Sequence, residues 1–179
     1  VIEKTLQNLN LERSKNNFEI ALTELRKIPN PKLSNTNSDI TIYEFFDYNC
    51  GYCKSVMQNI FNIYKKDKKV EIVFVEYPIL SNSSVSAAIA SLAARNQKKY
   101  FEFHSKLMKH SGKIDDKLLL SFAKELKIDT KKLKSDYSNE KLMLIINKNR
   151  DIANRLNLRG TPAFIIGNKI YPGAMSEKD

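Results

Sequence analysis

Cysteine is scarce in this chain, with only Cys50 and Cys53 in 179 residues. Two cysteines cannot make a zinc site, because tetrahedral zinc takes four ligands. The two histidines, His104 and His110, stand about fifty residues further on and are helix-borne in pattern, so no metal and no cofactor are expected. A purely structural Cys50–Cys53 bridge is also disfavoured: its tiny loop would constrain the unfolded chain very little. No run of eighteen apolar residues occurs, which excludes a membrane-spanning helix in the sequence given. Arginine-rich or aromatic RNA-binding signatures are missing too. Thirty Lys and Arg against twenty Asp and Glu give a formal charge of +10, but the lysines are scattered, densest at Lys65-Lys66-Asp67-Lys68-Lys69. That distribution describes a solvated surface, and no nucleic-acid partner is expected.

What is present is the spacing Cys50-Gly51-Tyr52-Cys53, which suits a reversible disulfide. The β-rich run Ile40 to Phe46 precedes it and a helix-forming stretch from Lys54 to Lys65 follows, so the pair sits at a strand-to-helix junction. Unpaired N–H groups and the helix dipole at such a junction favour an anion, and Lys54 adds a positive charge. Cys50 is therefore the expected nucleophile, and Cys53, one turn in, the shielded resolving thiol.

The first 28 residues carry two helical patterns, Ile2, Leu6 and Leu9, then Phe18, Ala21 or Leu22, Leu25 and Ile28. The polar stretch Glu12 to Asn17 between them is expected to part the two pieces. Each stripe is too narrow to fold alone and needs a partner surface, on its own domain or on another subunit. Pro29 and Pro31 end this region. A strand over Ile40 to Tyr48, a helix over residues 50 to 65 and a strand over Val70 to Tyr77 make a parallel βαβ unit. Residues 83 to 158 offer helices and no strand; caps are expected at Asp115 and at Asp129 or Thr130, and Gly160 is expected to close the last helix. Ala163 to Ile166, the turn Gly167-Asn168 and Lys169 to Tyr171 read as a β-hairpin. The sheet so formed lacks a further covering helix, so either the natural protein is expected to continue past Asp179 or the open face is covered in another way. No charged and apolar leader pattern follows Val1, as when an export signal has been removed. Asn82-Ser83-Ser84 fits a glycosylation acceptor pattern that is common by chance.

From about Pro31 onward these residues resemble the DsbA-like thioredoxin-fold disulfide oxidoreductases. The resemblance rests on Glu44-Phe45-Phe46 six residues before Cys50 and on Gly160-Thr161-Pro162-Ala163, which resembles the family's cis-proline loop. It implies an α/β thioredoxin fold over residues 33–179 with a large helical insertion at about 82–158, and an N-terminal helical oligomerisation segment over 1–30. By the same resemblance Glu44 is buried beneath the cysteines and relays the proton of Cys53. Pro162 follows a cis peptide bond, and Thr161 pairs with an extended client. DsbA-type oxidases usually carry a histidine where this chain has Tyr52. Gly51-Tyr52 with Thr161 instead resembles the DsbC-type isomerases, and residues 1–28 before such a domain resemble the ScsC-type proteins with their trimeric stalk.

The expectation is thus a homotrimeric protein disulfide isomerase, a periplasmic or otherwise exported bacterial protein. It would act on misfolded or unfolded exported proteins and be served by a membrane-bound redox partner. The alternatives are a monomeric DsbA-type dithiol oxidase and a non-catalytic thioredoxin-like binding module.

Overall fold

A computed structural model of the chain describes residues 1–176 and 178. The expected domain end at Asp179, and any continuation past it, lie outside the described residues. Helix α1 runs over Ile2–Leu25 and β1 over Lys32–Leu33, followed by β2 (Ile40–Phe46), α2 (Gly51–Lys66) and β3 (Val70–Glu76). Then come α3 (Asn82–Arg95), α4 (Tyr100–Lys109), α5 (Asp116–Glu125), α6 (Thr130–Tyr137) and α7 (Glu140–Arg155), and the hairpin β4 (Ala163–Ile166) and β5 (Lys169–Pro172). The described strands form one sheet in the order β1-β3-β2-β4-β5, with β2 and β3 parallel and the other pairs antiparallel. This is a thioredoxin-like sheet with α3 to α7 inserted between β3 and β4.

Side chains alternate across β2, so Ile42, Glu44 and Phe46 share one face while Thr41, Tyr43 and Phe45 share the other. The parallel register sets Glu44 beside Phe74 and Phe46 beside Glu76, which places all four on the same face. Helices α2 and α4 cover that face, as the ring contacts of Phe61 and His104 with Phe74 show. The end of α1 and α7 cover the opposite face, where Leu25 lies by Tyr43 and Val73 and Asn149 donates to the Glu76 carbonyl (3.1 Å). Phe45, Phe46, Phe74 and Phe103 are fully buried, and rings of this size dominate the burial energy of a core.

Two helix boundaries differ from those expected. Helix α1 is a single piece, because Glu12 to Asn17 holds neither glycine nor proline and Glu, Arg and Lys are good helix formers; the helix is unbroken at that stretch. Helix α7 ends at Arg155, and Asn157, with φ 56°, takes the left-handed position expected of Gly160. Leu158 N–H donates to Ala153 O (2.9 Å) and Asn157 N–H to Asn154 O (3.0 Å), so the terminal carbonyls are satisfied before the chain reaches the glycine. Asp115 and Asp129 cap α5 and α6 as expected. Ala21, Leu22 and Leu25 of α1 join the core, whereas residues 1–17 are exposed throughout.

Candidate active site

Cys50 ends the loop after β2 as the N-cap of α2, in extended conformation, and its Sγ accepts the Cys53 N–H at 3.2 Å. A sulfur in the cap position faces the unpaired N–H groups of the first turn. Both cysteines are free thiols. The Cys50 thiol also donates to the carbonyl of Thr161 at 3.3 Å, across 111 residues of sequence. The Thr161–Pro162 peptide is cis and Pro162 is buried, so the loop before β4 lies against the nucleophile. Cys53 has no exposed surface; burial, helped by its hydrogen bond with Cys50, pushes its pKa well up. Gly51 and Tyr52 point outward on the first turn, Tyr52 at 72% exposure and Gly51 with open space where a Cβ would stand. Lys54 commits its ammonium to the His110 carbonyl (2.8 Å), which pins it to the loop after α4.

Glu44 is buried on the sheet face that α2 covers, the helix whose first turn holds Cys53. Its strand neighbours on either side are Phe74 and Phe164, and its Oε1 has no hydrogen-bond partner. Burial alone raises its pKa to about 8. A carboxyl tuned in this way can hold or accept a proton near neutral pH, which an exposed glutamate cannot do.

Two further groups escaped the sequence reading. The first is Asp47, buried just past β2. Its Oδ1 accepts the Asn49 N–H (2.7 Å) and the Ser84 hydroxyl (2.7 Å), its Oδ2 accepts the N–H groups of Ile79 (2.8 Å) and Leu80 (2.9 Å), and its carbonyl accepts the Cys50 N–H (3.1 Å). Asn49 reinforces this clamp by donating from Nδ2 to the hydroxyls of Ser81, Ser83 and Ser84. The serines of the apparent glycosylation pattern thus serve to fasten the cysteine loop to the start of α3.

The second group surrounds Glu76, whose Oε1 accepts the phenols of Tyr48 (2.9 Å) and Tyr100 (2.8 Å), with His104 Nδ1 3.0 Å from the Tyr48 hydroxyl. Burial holds Glu76 well above the usual carboxylate range, against the pull of the two phenol bonds, and lowers His104 to about 3, so the imidazole is neutral. Tyr48→Phe strands one side of this network. It is expected to cost roughly 1 to 3 kcal/mol of stability in urea unfolding, the scale of a buried polar group left without its partner; an unchanged midpoint would show that the network carries no weight.

Residues 41–179 match the family described as DSBA-like thioredoxin domain. Disulfide bond formation protein D of Bacillus subtilis is 27% identical over 152 residues, covering 78% of this chain and 68% of that protein. The chain also matches a Na(+)/H(+) antiporter NhaA 1 of Salinispora arenicola at 23% identity over 75% of its own length, but spans only 21% of that relative. Among solved structures, a thioredoxin-like oxidoreductase from Silicibacter pomeroyi superposes with a TM-score of 0.83 at 37% identity, over 87% of this chain and 90% of that one. The thiol-disulfide exchange protein alpha-DsbA2 of Wolbachia pipientis gives 0.85 at 29% identity, over 93% and 91%. The catalytic domain of Proteus mirabilis ScsC gives 0.83 over 92% of both chains, at 22% identity, a likeness of fold.

Proposed function

This chain belongs to the family of DSBA-like thioredoxin domains and is a thiol-disulfide oxidoreductase of the DsbA type, and on that premise we propose that the full protein works as a protein disulfide isomerase. The thiolate of Cys50 attacks one sulfur of a client disulfide; a Cys50–client bond forms and the second client sulfur leaves as a thiolate. Another client thiolate then attacks the mixed disulfide and frees Cys50, which reshuffles the client with no net redox change. Alternatively Cys53 attacks Cys50 Sγ, releasing a reduced client and leaving a Cys50–Cys53 disulfide, and Glu44 takes the proton that Cys53 gives up. Gly51, Tyr52, Thr161 and Pro162 frame the client strand, with the backbone of Thr161 pairing to it. The protein acts outside the cytoplasm on exported clients, and a membrane-bound redox partner returns the pair to the dithiol.

The observation that carries isomerase over oxidase is α1. Residues 1–17 are all exposed, and Ile2, Leu6 and Leu9 stand in one exposed stripe at 78, 55 and 44% exposure. A lone helix of that length is marginal in water, so its stripe calls for a partner, and copies of the same helix supply one. A trimer built this way holds several dithiols over one client and raises their effective concentration. Light scattering is expected to give three chain masses for the full chain and one for a chain lacking residues 1–17, which keeps Ala21, Leu22 and Leu25 in the core. Reactivation of scrambled ribonuclease is expected to fall about tenfold in the truncated form. A full chain that is monomeric, oxidises reduced clients and leaves scrambled ribonuclease inactive would instead be a dithiol oxidase.

A further inference from the structure

The segments joined to Cys50 carry charge of one sign. Between Tyr48 and Tyr64 the only Lys, Arg, Asp or Glu is Lys54. From Phe103 to Ile114 the chain holds lysines and histidines and no carboxylate, and none occurs from Ile152 to Ser176, the stretch that contains Thr161. The acid just before them, Asp47, is sealed among four donors. Lys54 brings the positive charge to the nucleophile. Its N–H donates to the Cys50 carbonyl (3.1 Å), which stacks the two residues over one turn of α2, and helical side chains lean towards the N-terminal end, where Cys50 stands. The ammonium donates to the His110 carbonyl (2.8 Å), a neutral acceptor, and among the described residues no carboxylate pairs with it. The charge is thus held in place without being cancelled. The loop that holds it is fixed as well: Ile114 is buried, the His110 ring meets Phe122 edge-on with centroids 5.8 Å apart, and His110 Nε2 lies 3.3 Å from the Lys113 carbonyl. Gly112 permits this fold at φ 115°.

We propose that Lys54, held by the His110 loop, makes Cys50 select client segments with aspartate or glutamate next to the cysteine and discriminate against those with lysine or arginine there. A client sulfur in contact with Cys50 brings its chain neighbours to the first turn of α2, where the ammonium stands. A lysine free to swing would spread its charge through solvent, whereas one bonded to a fixed carbonyl acts from a single point. Opposite charge beside the client sulfur is then attracted and like charge repelled, a discrimination that needs no large contact area. Lys109 and Lys113, on the same loop, add to the field at longer range. This rests on the reading that Cys50 exchanges disulfides with proteins.

Stopped-flow exchange tests it with three disulfide-bonded peptides that carry aspartate, serine or lysine next to the cysteine. Each rate is divided by that of the same peptide with 2-mercaptoethanol, which removes the peptide's own reactivity. The full chain is compared with Lys54→Gln and Lys68→Gln. Both variants lose one positive charge, but Lys68 lies past the far end of α2, about 24 Å along its axis and beyond the screening length of about 10 Å in 0.1 M salt. The readout is the ratio of the aspartate rate to the lysine rate, in which the ionised fraction of Cys50 and any loss of folded protein cancel. For the unaltered protein this ratio is expected to be roughly fivefold, with the serine peptide between. It is expected to fall to near one in Lys54→Gln, and also in 1 M salt, where the screening length is about 3 Å, and to persist in Lys68→Gln. A ratio near one in the unaltered protein, a ratio that survives Lys54→Gln or 1 M salt, or an equal loss in Lys68→Gln each overturns the assignment. A folded, unaltered protein that exchanges with none of the three peptides sinks the disulfide-exchange reading instead.

Discussion

Replacing Cys53 with alanine is expected to turn exchange into a trap: the variant accumulates a covalent adduct with reduced-and-scrambled clients, whereas Cys50→Ala forms none and loses activity by more than about 10³-fold. The asymmetry follows from the positions of the two sulfurs. Cys50 caps α2 beside the exposed Gly51-Tyr52 edge, and its Sγ receives the Cys53 N–H. Cys53 is sealed under the first turn, where burial holds its proton. Only Cys50 can therefore meet an external disulfide, and only Cys53 is placed to attack the bond that Cys50 then forms. Non-reducing electrophoresis and intact mass measure the adduct directly. If Cys53→Ala turned over clients as a reductant at the unaltered rate, the resolving role would be wrong; if Cys50→Ala formed the adduct, the order of the two sulfurs would be reversed.

The placement of the two cysteines at the start of a helix was legible in the sequence, since C-x-x-C between a β-rich run and a helical one leaves few arrangements. The burial of Glu44 and the cis Thr161-Pro162 peptide were legible through the family resemblance that their motifs carry. The Asp47 clamp was not, because its partners lie 32 to 37 residues away and serine, asparagine and aspartate near a turn carry no periodicity that would announce them. Strand β1 is two residues long and has no alternation to detect. At α1 the difference has the opposite origin: a gap in the apolar pattern is no gap in the helix, because backbone hydrogen bonding continues wherever no residue opposes it. Asn157 replaced the expected glycine because asparagine tolerates the left-handed region well enough to close a helix three residues early. Local chemistry was legible, and chemistry assembled across the fold was not.

Glu44→Gln is expected to make the reduced protein more stable at neutral and alkaline pH while impairing its chemistry. The folded protein holds the Glu44 proton up to about pH 8, against an ordinary value of 4.5, because burial disfavours the charge and no donor meets its Oε1. Between those two values the folded state binds more protons than the unfolded chain, so stability falls as pH rises from 4.5 and the loss is complete above 8. The group is fully buried, and the linkage amounts to roughly 3 kcal/mol by pH 7 and roughly 5 kcal/mol over the whole interval. Glutamine carries no such proton, so the gap in urea midpoint between variant and unaltered protein should be small at pH 5 and should widen at pH 7 and again at pH 8. Glu76, raised by the same burial, keeps some slope in both proteins, and the ordinary range of a thiol near 9 lies above this window, which makes the difference between the two proteins the proper readout. The same variant should resolve the Cys50 mixed disulfide about tenfold or more slowly, because the buried base that takes the Cys53 proton is gone. An equal gap at pH 5 and pH 8 would mean that Glu44 ionises like a surface acid, and a carboxyl of that kind could not serve a buried thiol.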